Sequence, residues 1–403
     1  MDMLGWIDFS GDERNKVLGV IHSLDEPQAV DELGIGPIRD GFSDCFFPGT
    51  STVQTRAKYF FIVPYILMEA VSVKENSGVR KTLDWIDEKE RRCRDILLKR
   101  SPDTEGVIGS RDTNGWVKRT PANIYWNGIK RLGLFTEDLT IREYVAQSLL
   151  LKEQRKARNE ERDSRDREQQ EPDDRDAGDL ASVRFWNLEN LYHKGWRESL
   201  TIDLLPQEAD VLKTKIITAQ RDSLFAFLLE HDIDPDGYDN FAALREGIGD
   251  RADEHLKSMM KLACDFNDLL SILTTRYNLI VSDGKNARAE ENWTRYKGNL
   301  QHLSSVDLAA VFSSLHIRRS DLKTFLRQVQ SAVRAGDIET VDQLIRKREC
   351  AIKTPKRAKT NRVGEFSELD WIGIDRLDYR FAAARRIIRD IRNAEAAHAK
   401  TGQ

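Results

Sequence analysis

YFFIVPYILM, residues 59–68, is the most apolar ten-residue run in a 403-residue chain of which 32% is charged. A helix needs about 20 apolar residues to cross the hydrocarbon core of a bilayer. Arg56, Lys58 and Glu69 bracket this run, so no membrane crossing is expected. A segment that is apolar on every helical face reads instead as the buried centre of a helical core. Pro64 has no N–H to donate toward residue 60, which predicts a kink or a break into two helices. Upstream, Pro48 and Gly49 make a turn, and the hydroxyls of Thr50, Ser51 and Thr52 suit an N-cap, which predicts a helix start near Ser51 or Thr52. With Arg56, these three residues also form a candidate anion contact, because free amides and hydroxyls at a helix start favour negative charge. The lysine and glycine spacing of a nucleotide P-loop is absent.

Outward from this run the periodicity is helical. Ser10 and Glu13 have capping-box spacing ahead of Val17, Leu18, Ile21 and Leu24. A following helix is expected to start near Pro27 and to stop at GIGP, residues 34–37. Trp85 to Leu98 is amphipathic. Thr120 then caps a helix with Pro121 in its first position and Gly133 after its end. Ile124, Tyr125, Gly128, Ile129 and Leu132 form its inner face. The pattern fits a bundle helix, and it also fits a winged-helix-like element near 115–135 with Lys118, Arg119, Asn123, Asn127, Lys130 and Arg131 turned outward. Thr140 and Glu143 make a second capping box.

After Leu151 apolar side chains almost vanish until Leu180 while charges of both signs alternate, so this stretch is a solvated charged helix or a linker. The expected fold is therefore mainly α and multi-helical. It consists of an N-terminal helical domain over 1–150, a charged linker or helix over 151–180, and a C-terminal helical domain over 181–403. In the last of these, VRFWNLENLYHKGW is an aromatic loop expected to pack on the helices that follow it. Pro206 and Asp222 or Ser223 open helices, and Ala252 to Ile280 carries apolar residues at 3- and 4-residue spacings. Further helices are expected near 305–315, 321–335 and 338–350.

Cys45, Cys93, Cys264 and Cys350 form no C-x-x-C pair, and the N-terminal residues have no secretory n- and h-regions, so a reducing cytoplasm is expected. DIDPDGYDNFAA, from Asp232, sets Asp232, Asp234 and Asp236 at positions 1, 3 and 5 of a calcium loop with Gly237 at position 6. It has Ala243 where the bidentate glutamate belongs, so an acidic turn is the stronger reading. Glu395 and His398 form a single E-x-x-H without the second pair that a di-iron bundle requires. No G-x-S-x-G, H-E-x-x-H or H-x-K-x-x-x-x-D pattern is present, so no catalytic residue is assigned and no cofactor or metal is implied.

Against a near-neutral balance of 63 Lys and Arg to 67 Asp and Glu, one region is segregated. Arg346 to Arg362 holds eight basic residues against Glu349 alone. Arg380, Arg385, Arg386, Arg389 and Arg392 follow on the last helix. Arginine forks and lysines at this density suit phosphate contact, with Arg346, Arg348, Lys353, Lys356, Arg357, Lys359, Arg362, Arg380, Arg385, Arg386 and Arg389 as the candidate residues for DNA or RNA. The competing reading is that they pair with acids of this chain or of a protein partner.

LGWIDFS at the start, ELGIGPIRDGFSDCFFPGTSTVQTRAKYFFIVPY in the middle and WIGIDRLDYRFAAARRIIRDI near the end resemble a bacterial family of unknown function. Such proteins are often predicted beside helicase-type or phospholipase-D-type genes in mobile or antiviral clusters. Together with the basic C-terminal region, this makes the leading expectation a non-catalytic accessory subunit of a bacterial DNA-transacting or antiviral-defence assembly that contacts nucleic acid, with a helicase or nuclease as a possible protein partner. The alternatives are a scaffold that binds protein only and an enzyme with a dispersed active site. The family has no established active site, so the resemblance gives no residue a catalytic role.

Overall fold

The computed structural model describes residues 31–73, 78–110, 116–165, 185–188, 190–366 and 370–401. The capping box at Ser10 and Glu13, the helix start near Pro27 and most of the charged stretch beyond Arg165 lie outside them. In chain order the helices are α1 (Gly36–Phe46), α2 (Tyr59–Ser72), α3 (Val79–Arg100), α4 (Pro121–Arg131), α5 (Ile141–Arg165), α6 (Pro206–Ala219), α7 (Leu224–Glu230) and α8 (Phe241–Ile248). There follow α9 (Glu254–Val281), α10 (Ala287–Tyr296), α11 (Leu300–Leu303), α12 (Leu308–Ser314), α13 (Ser320–Ala335), α14 (Ile338–Lys353) and α15 (Phe381–Thr401). Among the described residues strand pairing is limited to a single bridge, Phe135 with Trp186. The chain is mainly α.

The helices group into two compact units, each built from separated stretches of chain. One holds Ile248–Tyr379 with the described residues up to Phe42, and the other holds Ser43–Gly247 with Arg380 onward. Of the stretch 151–180 at which the sequence divides the chain, residues 151–165 continue α5 and the rest lie outside the described residues; the compact units are cut elsewhere in the chain.

In the second unit α2 is the core. Every residue from Tyr59 to Met68 is buried, and α3, α4 and α5 pack around it. The helix runs as one element through Pro64, so the chain does not break into two helices there. The hydrogen bond lost at the proline is offset by apolar contact on all sides. Helix α2 also starts later than expected. Gln54 accepts from Ser51 N at 3.1 Å and donates to Gly49 O at 3.1 Å, which folds 49–54 into a turn. The helix begins only at Tyr59. Its start is satisfied from α15, where Asp390 Oδ2 accepts from Ala57 N at 2.7 Å. Helix α4 lies so close that a Cβ on Gly128 would sit 2.4 Å from Gly49 O. Phe185 and Trp186 pack back on the rings of Trp126, Phe135 and Tyr144, and Tyr192 and Trp196 on Tyr65 of α2, in stacked, tilted and edge-to-face pairs.

In the first unit α9 is the axis, with α10 and α14 against it. Asp253 caps it, and Leu269, Leu270, Leu273 and Tyr277 are buried along it. Two buried asparagines on α9 hold the segment that precedes α15. Asn278 pairs with both backbone groups of Ile372, at 2.8 and 3.0 Å. Asn267 exchanges two hydrogen bonds of 3.0 Å with the backbone of Leu377. At GIGP the expectation is reversed: the motif starts a helix instead of stopping one. Asp31 accepts from Ile35 N and Gly36 N at 2.9 and 2.6 Å, supplying the acceptors that a helix start needs.

Candidate nucleic-acid interface

The two basic segments lie in different units. In the first unit, α14 ends at Lys353 and the chain turns through 354–362. Val341 and Ile345 anchor the inner face of α14, and Arg348 and Glu349 on that face are buried as well. Buried charges need partners. Arg348 Nε donates to Leu33 O at 2.9 Å and its Nη1 pairs with Asp321 at 2.8 Å. Glu349, 0% exposed, accepts from Tyr277 Oη at 2.8 Å, Lys359 N at 3.1 Å and Thr360 N at 2.9 Å. It thereby fastens the loop to α9. Buried Glu32 takes the ammonium groups of both Lys353 and Lys359. Desolvation, and then the charge of Lys359, push the Lys353 amine down to about 8, and desolvation lowers Lys359 as well. Arg362 pairs with Glu365.

Four cations of this segment remain outward without an acid. Arg346 is exposed and donates to a neutral carbonyl, Thr360 O, at 2.7 Å. Lys347, Lys356 and Arg357 are exposed, and among the described residues none makes an ion pair. Arg348, Lys353 and Lys359 are thus structural, and Lys347, absent from the candidate set read in the sequence, joins the exposed group. Its register one residue before buried Arg348 on an amphipathic helix was the available signal.

In the second unit, Arg380 just before α15 and Arg385, Arg389 and Arg392 along it face acids, while Arg386 meets a backbone carbonyl. Arg380 pairs with Asp44 at 2.6 Å and donates to Thr50 O. Arg386 donates to Gln54 O at 2.9 Å. Arg389 grips Asp236 with two hydrogen bonds of 2.6 Å, Arg385 Nε lies 3.8 Å from the same carboxylate, and Arg392 pairs with Asp232. The calcium-loop lookalike and part of the basic helix thus neutralise each other. Asp234 is spent on its own turn, accepting from Asp236 N at 3.0 Å. The Arg389 hydrogen bond is the main cause that holds Asp236 below the usual carboxylate range. Glu395 pairs with Lys213 at 2.7 Å, and among the described residues no group of three His, Cys, Asp or Glu could hold a metal ion.

In the candidate anion contact at 50–56, Thr50 and Arg56 are internally occupied, whereas the buried Ser51 hydroxyl has no hydrogen-bond partner among the described residues. Thr50 Oγ1 donates to Phe47 O at 2.6 Å. Arg56 binds Asp390 through Nε at 2.9 Å, Asp203 through Nη2 at 2.8 Å and Glu105 O through Nη1 at 3.2 Å. Burial alone would lower the Arg56 pKa, but the charges of Asp390 and Asp203 more than reverse it. The pKa of Asp390 is raised by its own burial, against the pull of Arg56 and of the Ala57 amide. Nearby Lys58, 4% exposed, closes on Glu208, 2% exposed, at 2.5 Å. Ser51 and Thr52 lie within the 49–54 turn, and Ser51 donates its amide to Gln54 Oε1. Arg56 with Asp390, and Lys58 with Glu208, tie the α2 start to α15 and α6.

An open groove lies beside this cluster, with Thr55, Asp103, Glu105, Gly106 and Ser110 in its wall. Its two carboxylates make it a poor site for a phosphate. Helix α4 has the start expected of it, Thr120 accepting from Asn123 N at 3.5 Å. Asn123, Asn127 and Arg131 are exposed, while Lys130 pairs with Asp138 at 2.6 Å. The described residues that follow carry the Phe135–Trp186 bridge and no hairpin wing.

No helix among the described residues is long and apolar enough to cross a membrane. No curated protein and no solved structure matches the chain. Residues 1–151, which include α2 and its capped approach, match the model of a family of unknown function (DUF6361).

Proposed function

We propose that this chain is a non-catalytic accessory protein that contacts the nucleic-acid backbone through the loop closing α14. The observation that carries the reading is the set of exposed cations Arg346, Lys347, Lys356 and Arg357, which no acid among the described residues neutralises, while buried Glu32 and Glu349 are occupied by other groups. Glu349 holds the loop by its backbone, so the charges are presented on an anchored turn. The cytoplasmic setting rests on the scattered cysteines, which form no C-x-x-C pair, and a bacterial DNA-transacting or antiviral-defence assembly on the resemblance of the opening, central and closing motifs.

Four phosphate contacts imply a salt slope of about −3.6 on duplex DNA. The test is anisotropy of a labelled 20-base-pair duplex, and of single-stranded DNA and RNA, titrated with the protein across a salt series. Lys356→Ala/Arg357→Ala is expected to flatten the slope by about 2 units. Absence of binding by the wild type at low salt overturns the reading. A second reading, a scaffold for a helicase or nuclease, is favoured by Ile352 and Val363, each 39% exposed on either side of the loop. It predicts association with a protein partner that is insensitive to salt.

A further inference from the structure

Arg385, Arg389 and Arg392 stand at i, i+4 and i+7 of α15 and so share one helix face. All three are directed at a single loop, 232–238. Arg389 holds Asp236 through two parallel hydrogen bonds of 2.6 Å. Arg385 adds a contact to Tyr238 O at 3.0 Å, and Arg392 reaches both the carboxylate and the carbonyl of Asp232. A guanidinium fork meets two carboxylate oxygens as it meets two phosphate oxygens, so the carboxylates occupy the positions that phosphates would take. The pairing is superficial. Asp236 is 37% and Asp232 74% exposed, and Arg389 is 47% exposed. Exposed pairs of this kind contribute little net free energy and are screened by salt. Three guanidiniums share the two loop carboxylates, and the charges of Asp390 and Glu105 also act on Arg389.

We infer that Arg385, Arg389 and Arg392 form a second backbone-phosphate surface, and that Asp232 and Asp236 cover it as an internal phosphate mimic displaced when nucleic acid binds. The inference rests on the nucleic-acid reading above, but it uses different residues in the other compact unit. Buried Asp390 on the same helix is not part of the cover, since it spends its hydrogen bonds on Arg56 and the Ala57 amide. Aspartate is suited to the cover because its short side chain can hold the arginines only while the loop keeps its turn. Asp232 is in the left-handed region, φ 49°, and Pro235 stiffens the turn.

Removing the cover should increase binding, an outcome that misfolding does not produce. The probe is a labelled 20-nucleotide single-stranded DNA. Asp232→Asn/Asp236→Asn is expected to bind at least about tenfold tighter at low salt, with a slope steeper by roughly 1–2 units. Asp222→Asn/Glu137→Gln, which changes net charge equally at exposed positions of the same unit, should give a much smaller gain. Adding Arg385→Ala, Arg389→Ala and Arg392→Ala to the uncovered variant should abolish the gain. A gain no larger than that of the control, or no gain, overturns the inference. Placing Lys356→Ala/Arg357→Ala in both backgrounds separates the two claims. If those changes leave wild-type binding intact, the loop reading fails, whereas a gain that survives them supports the covered row by itself. Failure of both the wild type and the uncovered variant to bind overturns both. A readout on the unmodified chain guards against an unfolded variant: hydrogen exchange over 231–238 should accelerate when the DNA is added, and slowed or unchanged exchange counts against displacement.

Discussion

The segments 346–362 and 380–392 look alike as sequence, both arginine- and lysine-rich, yet they meet their acids in opposite ways. In the first, the acids are inside. Glu349 and Glu32 are buried, draw Lys353 and Lys359 inward and leave Arg346, Lys347, Lys356 and Arg357 facing solvent. In the second, Asp232 and Asp236 sit on the surface and cover arginines that are themselves half-exposed. A buried acid organises a basic loop and remains part of the fold, whereas an exposed acid neutralises a basic face and can be exchanged. The location of the acid therefore decides which charges a partner meets.

The strongest challenge to this comparison is to remove a buried acid. Glu349→Ala strands Tyr277, Thr360 N and the Lys359 amide without an acceptor, and should cost about 3–5 kcal/mol, read as a lower urea midpoint. A loss below about 1 kcal/mol would mean that the two acid populations do not differ.

A buried acid without a cation sharpens the same point through pH. Glu90, 3% exposed, accepts from Ala122 N at 2.6 Å, and its burial pushes it from 4.5 up to about 8. A raised folded-state pKa favours the folded state fully below the unfolded value, and this contribution is lost as pH rises through the folded one. Relative to Glu90→Gln, wild-type stability should therefore fall between pH 5 and 8, at roughly 1.4 kcal/mol per pH unit. Parallel curves for the two proteins would show that the carboxyl is not held neutral.

A smaller loss is expected where a buried cation meets a half-exposed acid. Arg348→Ala should cost about 2 kcal/mol, since Leu33 O loses its donor while Asp321 rehydrates. The smallest effect belongs to the covered row. Asp236→Asn should change the thermal midpoint by no more than about 1 kcal/mol allows, while its effect on DNA binding is large. A stability loss comparable to that of Glu349→Ala would make the 232–238 loop part of the core and end the contrast.

Much of the helical architecture was legible from local rules. Thr120, Ser223 and Asp253 cap helices within a residue or two of where spacing put them, and Thr140 with Glu143 forms the expected box at 2.7 and 3.2 Å. Misreadings occurred where a distant group replaced a local one. The α2 start moved to Tyr59 because Asp390 arrives from 333 residues away, and Pro64 stays within one helix because the core encloses it. The same holds for the candidate interface. Net charge over 346–362 was visible, but which cations are spent on Glu32, Asp321 and Glu349 was not.

The sequence by itself determined the helical class, the buried α2, most helix starts and the lack of a linear catalytic motif, because periodicity, capping and residue chemistry act over a few positions. Only the tertiary structure decided which cations face solvent, that the calcium-like loop meets α15, and how the chain divides into compact units. Those outcomes depend on pairings across tens to hundreds of residues, in which burial forces each charge to find a partner that no local pattern names.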